Sequence, residues 1–383
     1  MPLPANRPRC GVCAQPLIKN GTTSAGRPRY RCSSCGASTT PARRDDLTRA
    51  HQIHRFEDWL LGRTTQGEHG PARTFRRQHA WCWNVAPEPV LTGEVHRVLM
   101  LDGTYFNTWC ALVAYTGEHV VAWQFCDREK RASWAALLEM IPAPEIVIVD
   151  GNAAALTVVG ELWPATRVQR CLFHLLHRVD EHLTRRPVLQ AGRQLRSLAR
   201  ALPKVSSLDQ AASWEASLAA WHGAWRALLT ERTYARAGLV RPSSVPVSAA
   251  WWYTHQRLRR AYFTLERVRK AGHLFTWLEQ ARPGEVLPRT TSPLEGGVNA
   301  GLKELFRLHR GIPRHRAPVA AAWYFRSLSV DTRPASELIR PEHYQAREDT
   351  IAGVEDVIGP ELWGTGFSWE DGNGTQRGWA GRP

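Results

Sequence analysis

Residues 98–126 read VLMLDGTYFNTWCALVAYTGEHVVAWQFC, and the reading of this stretch decides the fold. Residues 98–101 are apolar and run into Asp102-Gly103. Residues 108–115 and 119–125 are β-prone runs split by Gly117-Glu118, which predicts a hairpin. Downstream, 129–141 carries Trp134, Leu137, Leu138 and Ile141 at three- and four-residue spacing, a helical period. Residues 145–149 form another apolar strand that again ends in Asp-Gly, at Asp150-Gly151. A helix over 153–163, a short strand over 167–169 and a helix over 172–183 follow. The order β-β-β-α-β-α-β-α predicts an α/β core with a mixed sheet rather than a Rossmann sheet. No glycine-rich nucleotide fingerprint follows any of these strands.

Past residue 183 the character changes. Trp214, Leu218, Trp221, Trp225 and Leu228 recur every three or four positions, as on a long amphipathic helix. Residues 257–278 read as a second helix offering Tyr262, Phe263, Leu265 and Phe275 to a core. The block 184–288 is therefore expected to be all-helical. A breaker-rich joint at 283–293 leads into a helix holding Leu302, Leu305 and Phe306. From 348 to 371 there are seven acidic residues and no Lys or Arg, which suggests a flexible or docked acidic tail.

The whole chain has 383 residues, room for two or three domains at roughly 150 residues each, and a formal net charge of +15. That balance disfavours acidic partners and suits a polyanion such as DNA or RNA. No apolar run reaches membrane-spanning length and no signal-peptide core precedes the first cysteine, so a soluble protein of the cytoplasm is the expectation. Eight cysteines are too few for a disulfide scaffold.

Four of those cysteines are paired as Cys10-x2-Cys13 and Cys32-x2-Cys35. Two such knuckles place four thiolates at the corners of a tetrahedron, which suits structural Zn²⁺. Gly11 and Gly36 are expected to relieve the tight turns. Two disulfides or a redox pair would need an oxidising compartment, for which nothing else argues. Residues 1–60 hold ten Lys or Arg against four Asp or Glu. A basic zinc ribbon fits phosphate contact, or alternatively a protein-binding appendage. Two short helices, the second over 72–83 with Arg73, Arg76 and Arg77, could form a helix-turn-helix or simply a basic surface. Trp81 and Trp83 could stack on an unpaired base or pack beneath a helix.

Asp102 and Asp150 both follow an apolar strand. In parallel neighbouring strands their carboxylates would share one sheet edge and, with a third acid, could bridge two Mg²⁺ ions. Asp-Gly is also an ordinary turn former. Glu295 has a sharper rival role, because Ser292-Pro293-Leu294-Glu295 reads as a capping box; on periodicity alone the cap is favoured.

Taken together, LMLDGTYF around Asp102, IVIVDG around Asp150, QRCLFHL with Cys171 and His174, and TTSPLEGGVNAGLKELFRLHRG around Glu295 resemble the bacterial insertion-sequence transposases related to the Mutator superfamily. The resemblance covers about residues 1–330, including the ribbon and ARTFRRQHAWCW at 72–83. It implies an RNase H-like domain with an Asp-Asp-Glu triad, a Cys-x2-His motif before the Glu, and a large helical insertion. One departure is visible: the family usually has Asn three residues before the Glu, and this chain has Ser292.

The resemblance further implies that Asp102, Asp150 and Glu295 hold two Mg²⁺ ions, with Mn²⁺ as the alternative. The enzyme would hydrolyse each element end to free a 3′-hydroxyl, which then attacks target DNA in line. Cys171 and His174 would lie beside that site, with Thr104 shaping the loop of Asp102. Lys303, Arg307, Arg310, Arg314 and Arg316 would neutralise phosphates; between 301 and 326 only Glu304 opposes six Lys or Arg. Partners would be double-stranded DNA, as terminal repeats and target, and further copies of the chain in a dimer or larger assembly. No membrane is implied, and the setting would be the bacterial nucleoid. The expected organisation is a zinc ribbon over 1–45, a helical DNA-binding or linker region over 46–95, and a first core part over 96–183. The insertion over 184–288, final core helices over 289–330 and a polar tail over 331–383 complete it. Two alternatives stay open: a nuclease of the same fold without strand transfer, and a domesticated DNA-binding protein without chemistry.

Overall fold

The computed structural model describes residues 9–344 apart from 11, 25, 41–44, 63–64, 237 and 244. Gly11 and the acidic stretch 348–371 lie outside the described residues. A three-stranded ribbon, β1 (Leu17–Thr22), β2 (Pro28–Cys32) and β3 (Ser38–Thr39), is followed by helices α1 (Asp45–Leu61) and α2 (Ala72–Gln78). The central sheet comprises β4 (Val98–Phe106), β5 (Trp109–Tyr115), β6 (Val120–Cys126), β7 (Ile146–Val149) and β8 (Arg167–Arg170). Helices α3 (Arg131–Leu138), α4 (Ala153–Leu162) and α5 (Leu172–Leu183) connect or follow its later strands.

The strand order is β6-β5-β4-β7-β8. The first three strands meander antiparallel, whereas β7 and β8 run parallel to β4. The mixed sheet is as expected, with one difference. Asp102 does not follow a strand; it lies inside β4, which continues to Phe106 and turns at Asn107, a residue at φ 53°. Thr104, Tyr105 and Phe106 are β-formers that keep pairing with β5, so the Asp102-Gly103 dipeptide makes no turn.

Because side chains alternate along a strand, β4 sends Leu99 and Leu101 to one face and Met100 to the other. The first face packs against α3 and α4 through Trp134, Leu137, Leu138, Val158 and Val159. The second packs against a π-helical turn (Leu294–Asn299) that runs into α10 (Ala300–Leu308), and against α11 (Ala317–Ser327). Each large apolar side chain fully buried in these layers contributes about 1.5–3 kcal/mol. Asp102 shares its parity with Met100, and Asp150 with Ile148, so both acids face the α10 side.

The insertion holds α6 (Gln190–Ala201), α7 (Leu208–Thr230), α8 (Gln256–Lys270) and α9 (Thr276–Glu279). It closes a core together with α5, in which Leu175 and Val179 meet Leu195, Trp214, Leu218, Trp221, Tyr262 and Leu265. It is not all-helical. β9 (Arg232–Tyr234) and β10 (Trp251–Tyr253) form a two-stranded antiparallel ribbon, and β-prone Thr233, Trp251, Trp252 and Tyr253 account for it. The insertion returns to the sheet at the edge strand β8. There Arg170 N donates to His273 O at 2.9 Å, and Thr276 Oγ1 donates to Val168 O at 2.7 Å. That contact covers an otherwise exposed edge.

Helices α1 and α2 share a core with α10 and α11 through Phe56, Trp59, Phe75, Leu305 and Trp323. Residues 331–344, the first part of the expected tail, add Ala335 to this core. Arg326, 5% exposed, joins them with ion pairs to Glu57 and Asp331, both at 2.9 Å. Among the described residues no helix is long and apolar enough to cross a membrane.

Candidate active site

The register Leu101↔Val149 between parallel strands makes Asp102 and Asp150 next neighbours on adjacent strands. β7 ends at Val149, and the turn behind it is organised by Asn152. The Asn152 backbone amide donates to Asp150 Oδ1 at 2.7 Å. Its side-chain oxygen caps α4 by accepting from Ala154 N and Ala155 N. Its side-chain amide reaches Glu129 Oε2 at 2.7 Å.

The two glycines after the aspartates make room for side chains. A Cβ on Gly103 would lie 2.6 Å from the Glu129 carboxyl carbon. A Cβ on Gly151 would lie 1.6 Å from the Arg170 guanidinium, and Gly151 sits at φ +109°, where side chains are strained. Arg170 uses that gap to donate from Nη2 to Asp150 O at 3.2 Å.

Glu295 arrives from the other direction. Thr291, not Ser292, opens its helix: the Glu295 amide donates to Thr291 O at 3.0 Å. The predicted capping box is therefore absent, because the helix starts one residue earlier and places Glu295 beyond the N3 position. Thr291 Oγ1 donates to Glu295 Oε1 at 2.5 Å, and His174 Nδ1 stands 3.6 Å from the same oxygen. Buried Cys171 lies beneath; its sulfur accepts from Thr291 N at 3.3 Å. Cys171, His174 and Glu295 offer ligand atoms all within 4.8 Å of one another. One turn further on, Asn299 Nδ2 donates to Asp102 Oδ2 at 2.7 Å.

Electrostatics reflect this crowding. Burial, then the charges of Asp150 and Glu295, hold the Asp102 carboxyl well above the usual carboxylate range. Burial and the Asp150 charge push Glu129 up to about 7. Burial opposes the charged forms of both Cys171 and His174. Their mutual hydrogen bond overcomes it, lowering the Cys171 thiol and, with the charges of Glu295 and Asp102, raising His174 to about 9.

The structure thus brings Asp102, Asp150, Glu295, Cys171 and His174 together, with Thr104 buried two residues along the same face of β4. Sequence reasoning missed Glu129, Asn299, Thr291 and Arg170. Glu129 read as the first residue of a helix; it precedes α3, and an acid there is too ordinary to signal a site. Asn299 is 3% exposed on a helix, and only its burial marks it.

The basic residues collect elsewhere. Arg73, Arg76 and Arg77 are exposed on α2, and Lys303, Arg307, Arg310 and Arg314 are exposed along and beyond α10. Arg307 is paired with Glu304 at 2.6 Å, and the Arg316 guanidinium sits 5.3 Å from the Trp83 ring centroid. Trp83 packs edge-on to Phe56, and Trp81 Nε1 donates to Gln52 Oε1.

At the other end of the chain, Cys10 and Cys35 sulfurs lie 3.5 Å apart, and Cys13 and Cys32 sulfurs 3.4 Å. All four sulfurs fall within 4.8 Å, close to the edge of about 3.8 Å expected for a tetrahedral zinc–thiolate centre. Ala14 (φ 58°) and Gly36 (φ 71°) close the two knuckles, donating to Cys10 O and Cys32 O. The Cys35 amide pulls the Cys32 thiol down to about 6. This four-cysteine cluster is suited to a structural zinc ion.

Comparison with known proteins finds partial similarities. Residues 111–246 match the family model described as "Transposase, Mutator family"; the match includes Asp150, Cys171 and His174 and stops short of Asp102 and Glu295. The transposase for insertion sequence element IS905 of Lactococcus lactis is 26% identical over 185 residues, 41% of this chain and 47% of that protein. The transposase for insertion sequence element ISRM5 of Rhizobium meliloti is 30% identical over 111 residues, 28% of this chain and 26% of that protein. The matched stretches thus span about half and about a quarter of these relatives. Through the middle of its central sheet and into its helical insertion, the chain is similar to the Mutator-family transposases.

Proposed function

We propose that the protein is a DNA transposase. In this reading it cuts insertion-sequence ends and joins their 3′-hydroxyls to target DNA, acting from an RNase H-like sheet on which Asp102, Asp150 and Glu295 hold two divalent ions, Mg²⁺ or Mn²⁺. The observation that carries this reading is the meeting of three carboxylates on one face of the sheet, one of which, Asp150, lies in the segment similar to transposases. The donor set fits hard cations, which prefer oxygen ligands. One oxygen of each acid is held, by Asn299, by the Asn152 amide and by Thr291. The second oxygen of each has no hydrogen bond among the described residues. Bound there, divalent ions supply positive charge against which negative charge on the phosphate oxygens can develop.

The chain's own residues do the positioning. Asn299 fixes the rotamer of Asp102 and ties it to the helix of Glu295. Thr291 and the His174 imidazolium orient Glu295. Exposed arginines of α2 and beyond α10 neutralise backbone phosphates, and the ribbon brings exposed Arg27, Arg29 and Arg31 of its own. Synapsis of two element ends calls for a dimer or larger assembly.

The test is incubation of a labelled duplex bearing an element's terminal repeat with the protein, target DNA and Mg²⁺. Cleaved ends together with a joined product are expected, and both should vanish with Asp102→Asn or Glu295→Gln. Cleavage without joining would favour a nuclease. Binding with neither product would favour a DNA-binding protein without chemistry.

A further inference from the structure

A cavity of about 540 Å³ lies away from the acidic face, between α1, α2 and the segment following α10. Its lining includes Trp59, Phe75 and Trp83, and among the described residues no Asp or Glu contributes to it. Arg76, Arg310 and Arg316 also line it, so an aromatic wall meets three guanidinium groups. The volume is ordinary for a small-ligand site and ample for a nucleobase with its sugar.

His79 gives the cavity a polar address. It is 2% exposed and stacks on Phe75 at a centroid distance of 4.0 Å. Its Nδ1 donates to Phe75 O at 2.7 Å, while its Nε2 is buried without a partner. A carbonyl can only accept, so Nδ1 carries the proton and Nε2 presents a lone pair. Burial lowers the pKa of His79, which keeps the ring neutral. A buried acceptor without a donor is costly; a ligand that brings an N–H relieves that cost. Flat rings, an N–H donor and an anionic group together describe one nucleotide.

We propose that this cavity takes up a single unpaired nucleotide of a DNA strand. Its base lies against the half-buried Trp83 ring with an N–H donated to His79 Nε2, and its phosphate sits among Arg76, Arg310 and Arg316. The proposal rests on the reading of the chain as a DNA enzyme and adds a second point of grip. Glu295 lies in the early turns of the helix whose far end, at Leu308, lines the cavity. About 14 residues of helix, roughly 20 Å, therefore separate the acidic face from the nucleotide held out of the duplex.

The experiment compares the full chain's affinity for two duplexes of identical sequence, one fully paired and one with a single bulged 2-aminopurine. The bulged duplex should bind about five-fold or more tightly, with a change in 2-aminopurine emission as the base leaves the stack. His79→Phe keeps the ring and removes the acceptor; it should bring the affinity ratio close to one while leaving the paired duplex unaffected. Arg310→Gln, at an exposed position, should also lower the ratio and carries the test if His79→Phe does not fold. Equal affinities in the unaltered protein, or a preference that survives both variants, overturns the nucleotide site and leaves the enzyme reading standing. Absence of binding to either duplex overturns both.

Discussion

The Asn299 side-chain amide donates to Asp102 Oδ2 across 2.7 Å, joining residues 197 positions apart in the chain. This single bond ties the central strand to the π-helical turn that carries Glu295. It also explains how an acid already crowded by Asp150 and Glu295 keeps one orientation. Replacing Asn299 by Leu should cost about 1–3 kcal/mol, the penalty for leaving a buried group unpaired. Urea unfolding would read that loss. Cleavage should fall more steeply than stability, and a variant that is destabilised yet fully active would argue against the positioning role.

Gly103 and Gly151 should respond differently to alanine. Gly103→Ala drives a Cβ onto the Glu129 carboxyl, so its destabilisation should be largely relieved in a Gly103→Ala/Glu129→Ala double variant. Gly151→Ala keeps the strain of φ +109° even when Arg170 is shortened. About 1–3 kcal/mol should therefore persist in its double variant with Arg170→Ala. A thermodynamic cycle over the two pairs checks this, and equal rescue in both would contradict the geometry.

Stability should decline as pH rises through the acid-to-neutral range in metal-free protein. Glu129 titrates at about 7 in the fold against an ordinary value of 4.5. Between those values the folded state binds more protons than the unfolded one, so unfolding free energy falls with rising pH. The shift corresponds to on the order of 3 kcal/mol. That contribution is retained below about pH 4.5 and lost by the time pH has passed 7. Glu129→Gln should flatten the curve. Denaturation in chelator at about pH 5 and about pH 8, on either side of the folded-state titration, measures the difference. An unchanged slope in the variant would assign the decline to other groups, Asp102 first among them.

The ribbon should stand or fall with its metal. Each chain is expected to release one Zn²⁺ on thiol modification, and Cys13→Ser or Cys32→Ser should abolish that release. Chelation should erase amide protection in β1–β3 while sparing β4–β8, because the Cys10, Leu17 and Cys32 cluster is separate from the sheet's two cores. Loss of protection throughout the chain would show that the ribbon supports the core.

Much was legible because it is local. The Cys-x2-Cys knuckles carry their own spacing, and the bounds of α5 and the hairpin at Gly117-Glu118 follow from short-range period and turn chemistry. Less legible were features that depend on what a side chain meets across space. Asp102-Gly103 looked like a strand end, yet it pairs with Val113 and Leu112 inside the sheet. Ser292 looked like a cap, but Thr291 accepts the first helical amide. Two strands went unseen in the insertion because β9 and β10 are three residues each, too short to express a period.

By itself, the sequence determined the faces: a two-residue alternation puts Asp102 with Met100 and Asp150 with Ile148, whatever the rest of the chain does. It also determined the spacing of the four ribbon cysteines and the excess of basic charge. Only the tertiary structure decided that the segment beginning at Leu294 returns to that same face, and that Glu129, Asn299 and Thr291 join the acids there. The reason is physical: alternation and helical period are properties of neighbouring residues. Which layer covers a sheet face depends on burying Leu294, Val298 and Leu302 against Met100 and Ile148, a choice made only when the whole core closes.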